Sequence, residues 1–500
     1  MLVSKACQMR EIDRRTIEKY QIPGILLMEE AAAGIYEHIK KLNFKNILVV
    51  CGGGNNGGDG FAAARLLIAN GYNVDVFCFT DAEKIKGDAK INYNILLNMN
   101  IPVQNDIKIL EIKSKTYDVV IDAIFGTGIS GEIRGIYKDV IEILNNNSNY
   151  IVSVDIPSGI DSDNGLCCGN HINANDTVTF VSKKYGHLLN EGRTASGSVF
   201  VRNITTPKKC IEEQNIKTMT NDENYPSCLL RKRKVDSNKG DYGKVYIIGG
   251  SYRMSGAAAL AASAALRCGA GLVNCVIPAS ITERIGSLVP EVTFTPCSEI
   301  DGTLNISESE LDEVINKADV IAFGTGITTY EHLKDTLLYI IKNSKKPLVI
   351  DADGLNILSS IKYCLNGREN KIAITPHPGE MSRLTGYSID YINEHRVDVA
   401  VEFAKHYNCN VLLKGSSTVV TDGEKIYINT TGNPGMAKGG SGDVLTGMTA
   451  AFIGQGYDMF NSLVLSSYFH GLAGNATYDI QGYGLCASDI VNSIGRVIKL

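Results

Sequence analysis

From one end of the chain to the other, short apolar runs alternate with longer segments whose apolar positions recur at roughly every third or fourth residue. Short runs bounded by glycine and polar turns read as strands, the longer segments as helices, and their alternation predicts βαβ units built on parallel sheets. The first half supplies NILVVCGG, NVDVFCF, YDVVIDAIFG, YIVSVDIPSG and DTVTFVS as strands; the second supplies KVYIIGG, LVNCVIP, DVIAFGTG, PLVIDADG, KIAITPH and NVLLKGS. Ahead of the first strand, EIDRRTIEKYQIPGILLMEEAAAGIYEHI predicts helices on either side of a break at Pro23-Gly24. Between the halves, TPKKCIEEQNIKTMTNDENYPSCLLRKRKVDSNKGDYG follows neither period and is polar, charged and interrupted by proline. It places a boundary at 215/216 and makes the chain an α/β protein of two domains, 1–215 and 216–500.

Composition narrows the function. With 500 residues, 44% of them hydrophobic and 21% charged, there is chain enough for two ordinary globular cores. The net charge of -5 is small and the one basic block is RKRK at 231–234, so the tetrad reads as solvated linker and no nucleic-acid partner is expected. Thirteen cysteines, odd in number and without a CxxC pair, indicate a reduced cytoplasmic chain with no disulfide framework, zinc or haem; adjacent Cys167 and Cys168 read as buried filler. The opening MLVSKACQMREIDRR becomes charged too early for a secretory leader, and no apolar run reaches about 18 residues, so no membrane partner is expected.

In open α/β sheets, ligands sit beyond the carboxyl ends of the strands. In the first half those positions hold Asn55, Asn56 and Asp59 after NILVVCGGG, Asp122 and the loop GTGISGE after VVI, and Asp155 with Ser158 after IVSV. Gly57 and Gly58 would let backbone N–H groups approach an anion at a helix amino terminus, which suits a phosphate or pyrophosphate. The loop is neither a P-loop nor GxGxxG. Asn56, Asp122 and Ser158 offer oxygens without His or Cys, a donor set for a hard cation. Taken singly, each would serve as a loop cap.

CGGGNNGGDGFAAARLL, DAIFGTG and VDIPSGIDSDNG, with DRRTIEKYQIPGILLMEEAA before them and KKYGHLL after, resemble the NAD(P)H-hydrate epimerase family over roughly residues 1–205. The resemblance implies a Rossmann-like domain that interconverts the R and S hydrates of NADH and NADPH and binds K+. It implies that Asn55, Asn56, Gly57, Gly58, Asp59, the loop Gly126, Thr127, Gly128, Ile129, Ser130, Gly131 and Glu132, and Asp155 hold the nucleotide, and that Asn56, Asp122 and Ser158 ligate potassium. The hydrate is a carbinolamine whose hydroxide can leave with acid assistance and return on the other face, so Asp59 and Asp155 are the candidate catalytic carboxylates. Which of the two moves the proton is open. Gly53 and Tyr185 stand where proline is more usual in this family.

The second half presents NPGMAKGGSGDVLTG, Asn433 to Gly447, a glycine-rich anion cradle ending in a carboxylate where an apolar helix begins. Its amides suit a transferring phosphoryl group, with Asp443 taking a proton from an attacking hydroxyl. Gly326, His377, Glu380 and Lys414 to Thr418 fall at further strand ends, and FGTGIS at 125 is echoed by FGTGIT at 323. His470, in a helix-patterned run, reads as packing.

GDYGKVYIIGG, FGTGI, DADGLN, TPHPGEMSRL, LLKGSSTVV, GNPGMAKGGSGDVLTG and HGLAGN resemble the ribokinase-like fold and, more narrowly, the ADP-dependent NAD(P)H-hydrate dehydratases, from about Lys239 to the end. The resemblance implies that Ala257, Gly326, His377 and Asp443 contact the hydrate. It implies that Lys414, Gly415, Ser416, Ser417, Thr418 and Gly442 contact the adenine nucleotide, with Mg2+ bridging its phosphates. Phosphorylation of the C6 hydroxyl by ADP would make it a leaving group, giving NAD(P)H, AMP and phosphate. Lys438 replaces a threonine common in relatives. The expected partners are the two hydrates and ADP, and a homo-oligomer is expected. A small-alcohol kinase for the second half and a non-catalytic binding module for the first are the alternatives.

Overall fold

A computed structural model describes residues 1–129 and 131–499. The chain divides into two compact units, Met1–Thr218 and Met219–Leu500; the composition change places that division at 215/216.

The strands of the first unit are β1 (Val3–Ser4), β2 (Asn46–Cys51), β3 (Asn73–Cys78), β4 (Val103–Gln104), β5 (Val119–Ala123), β6 (Ile151–Val154), β7 (Asp176–Phe180), β8 (Lys183–Lys184) and β9 (Ser198–Arg202). Seven form a parallel sheet in the order β4-β3-β2-β5-β6-β7-β9, and β1 pairs with β8. Helix α1 (Ala6–Glu18) precedes α2 (Gly24–Leu42), which packs with α3 (Asn55–Ala69) on one face of the sheet through Ala31, Ile35, Phe61 and Ala63. Val50, Phe77 and Val120 bury the other face against Val140 and Leu144. Covered on both sides, β2 and β5 have no reason to alternate polar with apolar, and their residues are nearly all buried. The strand order turns back between β2 and β5, so their following loops meet at a topological switch point, where the Gly52 amide donates to the Ala123 carbonyl at 3.0 Å.

In the second sheet the strands are β10 (Thr218–Thr220), β11 (Lys244–Ile248), β12 (Leu272–Pro278), β13 (Thr293–Ile300), β14 (Thr303–Asn305), β15 (Val320–Phe323), β16 (Leu348–Ile350), β17 (Ile372–Ile374), β18 (Asn410–Leu413), β19 (Thr418–Thr421) and β20 (Ile426–Asn429). They run β10-β20-β19-β18-β17-β16-β15-β11-β12-β13-β14, parallel from β18 through β13 and antiparallel at β13–β14, β18–β19 and β19–β20. The order turns back between β11 and β15, and there the Gly250 amide donates to the Thr325 carbonyl at 2.7 Å. Each FGTG motif therefore follows a strand at the switch point of its own sheet.

Helices α4 (Ser255–Arg267), α5 (Pro378–Thr385), α6 (Ser441–Gly454) and α7 (Met459–Gln481) complete the part of this unit that shapes its site. A methyl on Gly447 would lie 2.0 Å from the Ala261 carbonyl oxygen, so α6 and α4 touch backbone to backbone. Among the described residues, no helix is long and apolar enough to cross a membrane.

Both parallel sheets and every strand named from the sequence are present, which bears out the α/β expectation. The RKRK tetrad is exposed at all four residues, as expected, and two of its side chains also lie on the surface of the fold: Arg231 stacks on Tyr457 at 4.5 Å and Arg233 on Tyr242 at 3.7 Å, and each donates to a carbonyl just beyond a helix end, Gly456 and Gly269. One smaller expectation needs correction. Cys167 and Cys168 are half-buried rather than buried, on a loop joined to Gly159 through the Cys168 amide, and all thirteen cysteines are free thiols.

Candidate functional sites

In the first unit, β2 ends at Cys51 and α3 starts at Asn55 with Gly54 as its cap residue, so no side chain covers the first-turn amides. The glycines here have a packing reason. A methyl on Gly57 would lie 1.9 Å from the Gly52 carbonyl oxygen, and one on Gly58 would lie 2.5 Å from Met28 and 2.9 Å from Ala89. The Gly58 amide already donates within the helix to Gly54, so the amides of Asn55, Asn56 and Gly57 are the ones facing the loop end. Neighbouring protein atoms thus give Gly57 and Gly58 a packing reason to be glycine beside any role at the loop end. Gly53, where proline is usual, leaves room for Thr80, to which a methyl at that position would come within 2.6 Å.

Beside this turn, Asp122 at the end of β5 is fully buried. Its Oδ1 accepts from Ser158 Oγ at 2.5 Å, and its Oδ2 accepts from Ser153 Oγ at 2.8 Å and the Ser158 amide at 3.0 Å. The Phe125 amide donates to Ser158 Oγ at 2.9 Å. Asn56 reaches the same place: its side-chain oxygen is 3.1 Å from where a methyl on Gly126 would stand, and its Nδ2 is buried without a partner among the described residues. Burial pushes the Asp122 carboxyl above its usual range, against its hydrogen bonds, and no cation pairs with it among the described residues. Asn56, Asp122 and Ser158 are thus brought together. Of the second loop, Gly126, Thr127 and Ile129 are partly covered, Gly128, Gly131 and Glu132 are exposed, and Ser130 lies outside the described residues.

The remaining carboxylates gather around a lysine. Asp155 follows β6 with φ +65, a left-handed backbone held by its own amide on Val178 and by His187 Nε2 on its carbonyl at 2.8 Å. Its Oδ1 accepts from Lys184 Nζ at 2.5 Å and Thr179 Oγ1 at 3.0 Å. Lys184, 1% exposed, also donates to Thr179 Oγ1 at 2.7 Å and the Phe180 carbonyl at 3.1 Å. Burial, the largest single influence, favours the protonated form of Asp155, but the charge and hydrogen bond of Lys184, together with His187 and the Thr179 hydroxyl, outweigh it and hold the carboxyl below its usual range. Asp59 on α3 is pushed well above that range by burial, then by the charges of Asp155 and Asp13. Asp13 on α1 rises to about 6, mainly through burial. Burial, and then Lys184, lowers His187 to about 3, so its neutral ring accepts from the Lys184 amide at Nδ1 and donates at Nε2. Lys184, Thr179, His187 and Asp13 were not singled out by the sequence reading, although KKYGHLL contains two of them.

In the second unit, α6 begins after Gly440, a left-handed residue at φ +91, again with no side-chain cap. Asp443 stands in its first turn, and a methyl on Gly442 would lie 3.5 Å from Lys414 Nζ and 3.8 Å from Asp351 Oδ2. Lys414, at the end of β18, donates to Asp351 Oδ1 at 2.8 Å and lies 3.7 Å from Glu380 Oε2; Thr446 Oγ1 donates to Asp351 Oδ2 at 2.5 Å. Burial, with Asp351 adding to it, raises Asp443 to about 7, and burial raises Glu380 to about 7 as well. Gly326, at φ +64, has no room for a side chain because Ala257 would be 2.8 Å away, so these two expected contact residues are neighbours.

His377 caps α5: its Nδ1 accepts from the amides of Gly379 at 3.0 Å and Glu380 at 3.4 Å, while its half-exposed ring presents Nε2 3.5 Å from Glu380 Oε1. The turn carrying Gly415, Ser416, Ser417 and Thr418 is held by Arg396, which donates to the Ser417 carbonyl at 2.6 Å and occupies the space where a methyl on Gly415 would stand. Lys438 spends its ammonium on the Tyr483 carbonyl at 2.6 Å. His470 is partly buried, its surroundings lower it to about 4, and its Nε2 has no partner among the described residues. Asp351, Thr446 and Arg396 join the site without having been expected in it.

The NAD(P)H-hydrate dehydratase family model matches residues 245–496, and that of the YjeF-related protein N-terminus matches residues 25–186. A protein of Thermofilum pendens named bifunctional NAD(P)H-hydrate repair enzyme is 35% identical, the alignment covering 100% of this chain and 96% of that protein. One of the same name from Moorella thermoacetica is also 35% identical, over 100% of this chain and 97% of its own length. Among solved structures, a ribokinase-like superfamily protein of Enterococcus faecalis superposes with a TM-score of 0.50 at 22% identity, covering 56% of this chain and 95% of that one, which shows the fold of the second unit.

Proposed function

The chain belongs to the bifunctional NAD(P)H-hydrate repair enzymes, with an epimerase and a dehydratase domain, and from that premise we propose how its residues divide the repair. In the first unit, the amides of Asn55 to Gly57, the loop Gly126–Glu132 and Asp155 hold the hydrated dinucleotide. Two nearby carboxyl groups with opposite protonation supply an acid and a base. Asp59, pushed toward its protonated form by burial and by the neighbouring carboxyl groups, gives a proton to the hydroxyl leaving C6. The ring nitrogen stabilises the cation that remains, a water adds to C6, and ionised Asp155 takes its proton. Proton return from Asp155 to Asp59 through solvent resets the pair.

Potassium fits beside this pocket at Asn56, Asp122 and Ser158: the side-chain oxygen of Asn56, the Ser158 hydroxyl and a buried carboxylate without a cationic partner among the described residues are what a hard cation would satisfy. When bound, it supplies positive charge near the dinucleotide phosphates.

In the second unit, the first turn of α6 and the Lys414–Thr418 turn hold ADP, and Ala257, Gly326 and His377 line the hydrate. Asp443 takes the proton of the C6 hydroxyl as that oxygen attacks the β-phosphorus of ADP, and AMP departs. The ring nitrogen then expels phosphate from C6, a proton leaves C5, and the dihydronicotinamide is restored. Asp351, Glu380 and Asp443 outnumber Lys414 in this cleft, so magnesium carried on the nucleotide phosphates fits its charge.

The observation that supports this reading most is the matched construction of the two sites. Each places an uncapped helix amino terminus, carrying a carboxyl group in its opening turns, at the carboxyl ends of parallel strands: α3 beside the ends of β2 and β5, α6 beside the residues that follow β16 and β18. The test is to incubate the chain with NADH hydrate and ADP and follow dihydronicotinamide absorbance and phosphate together. One phosphate per NADH recovered supports the reading; a lasting phosphorylated product makes the second unit a kinase instead.

A further inference from the structure

The first unit contains a buried lysine that the hydrate chemistry above does not use. Lys184 is 1% exposed and its ammonium is committed to three acceptors: Asp155 Oδ1 at 2.5 Å, Thr179 Oγ1 at 2.7 Å and the Phe180 carbonyl at 3.1 Å. An ammonium has three protons, so none is left for a ligand. The same Asp155 oxygen takes a second contact from Thr179 Oγ1, whereas nothing donates to Oδ2 among the described residues. Asp155 is 15% exposed, so the carboxylate is pinned by one oxygen and open at the other. Its backbone is fixed too, with φ +65, the amide on Val178 and the carbonyl on His187 Nε2. His187 takes the Lys184 amide at Nδ1, closing a ring of contacts around the dyad.

We propose that Lys184 is a positioning residue of the epimerase reaction, acting through Asp155: it locks Oδ1 so that Oδ2 alone is aimed at the water or hydroxyl on C6. The inference rests on the epimerase reading of the first unit. Charge balance gives a reason for a lysine there. The ionisable groups facing Asp155 are Asp59 from α3, Asp13 from α1, His187 from the turn after β8 and Lys184 from β8 itself. With His187 neutral, Lys184 is the one cation among the described residues set against these three carboxyl groups, and without it burial would push the Asp155 carboxyl upward, as it does those of Asp59 and Asp13. Asp155 would then carry a proton at pH values where it is otherwise free to accept one.

The test compares the full-length chain with Lys184→Met, which keeps the length of the side chain without its charge, and Thr179→Val, which removes only the shared hydroxyl. Epimer exchange of NADH hydrate is followed against pH, and ADP-driven recovery by the other unit of the same molecule reports that the chain has folded. Lys184→Met should lower kcat for exchange with KM little changed and move the acid limb of the pH profile upward by about one to three units. Thr179→Val should move it in the same direction by less, and Lys184→Arg should restore part of kcat. An unmoved acid limb in both Lys184→Met and Thr179→Val, with exchange at the wild-type rate, overturns the proposal. Should Lys184→Met lose the melting transition of the first unit, the Thr179→Val profile decides. A wild-type chain that exchanges no epimers contradicts the epimerase reading itself, which separates the two failures.

Discussion

Gly442 and Lys414 share one small space: a methyl on Gly442 would lie 3.5 Å from Lys414 Nζ, which brings the first turn of α6 against the end of β18. At that distance the methyl makes an ordinary contact and the chain should fold normally, but it occupies the volume in which a phosphate would meet both the helix amides and the ammonium. Gly442→Ala should leave the melting temperature unchanged and raise KM for ADP about tenfold or more. Steady-state kinetics with varied ADP checks it; an unaltered KM removes the nucleotide from that space.

The proton held by the second site also makes stability depend on pH. Asp443 and Glu380 titrate near 7 in the folded chain because they are buried, whereas in an unfolded chain such groups titrate at about 4. Between those values the folded state binds more protons, so stability declines as pH rises from about 4 to 8. Asp443→Asn removes one such group and should raise the melting temperature of the second unit at pH 8 by about 2–4 °C, the shift expected of roughly 1 kcal/mol. The gain should vanish toward pH 4. Calorimetry of variant and wild type across that range is the measurement, and a gain that grows on acidification has the wrong sign for this account.

The potassium assignment predicts an asymmetry. Replacing K+ by tetramethylammonium should slow epimer exchange while ADP-driven recovery of the accepted hydrate, with magnesium present, is unaffected. Asp122→Asn should make exchange slow in both salts, because the buried charge that needs the ion is gone. Equal loss of both activities on removing K+ would place the ion elsewhere.

How much of this was legible in the sequence follows from what each residue type reveals on its own. β2 and β5 were readable because continuous apolar runs have few places to go except between two layers of helices. The strands that were missed, such as β8, β13 and β20, are short or lie near sheet edges, where no period develops. Asp59, Asp122 and Asp155 were legible because carboxylates at strand ends are chemically conspicuous. Lys184 was not: in the pair Lys183-Lys184 one side chain is partly exposed and the other buried, and a two-residue strand has no pattern to say which. Arg396 looks like one more charge on a helix until Gly415 is seen to make room for it. Glycine was ambiguous in another way, since at Gly57 and Gly58 neighbouring protein atoms leave no room for a side chain, and the sequence alone does not separate that packing need from an open anion site.

The central claim is that two separate sites in one chain carry out successive halves of one repair. Complementation tests it most directly, on a timescale shorter than spontaneous epimerisation. With an equal mixture of R and S NADH hydrates and ADP, Asp155→Asn should restore only the epimer the dehydratase accepts and then stop, and Asp443→Asn should exchange epimers but restore nothing. The two variants in one tube should restore the whole mixture. A mixed tube that stops where Asp155→Asn alone stops, or an Asp443→Asn protein that cannot exchange epimers, would contradict the division of labour between the sites.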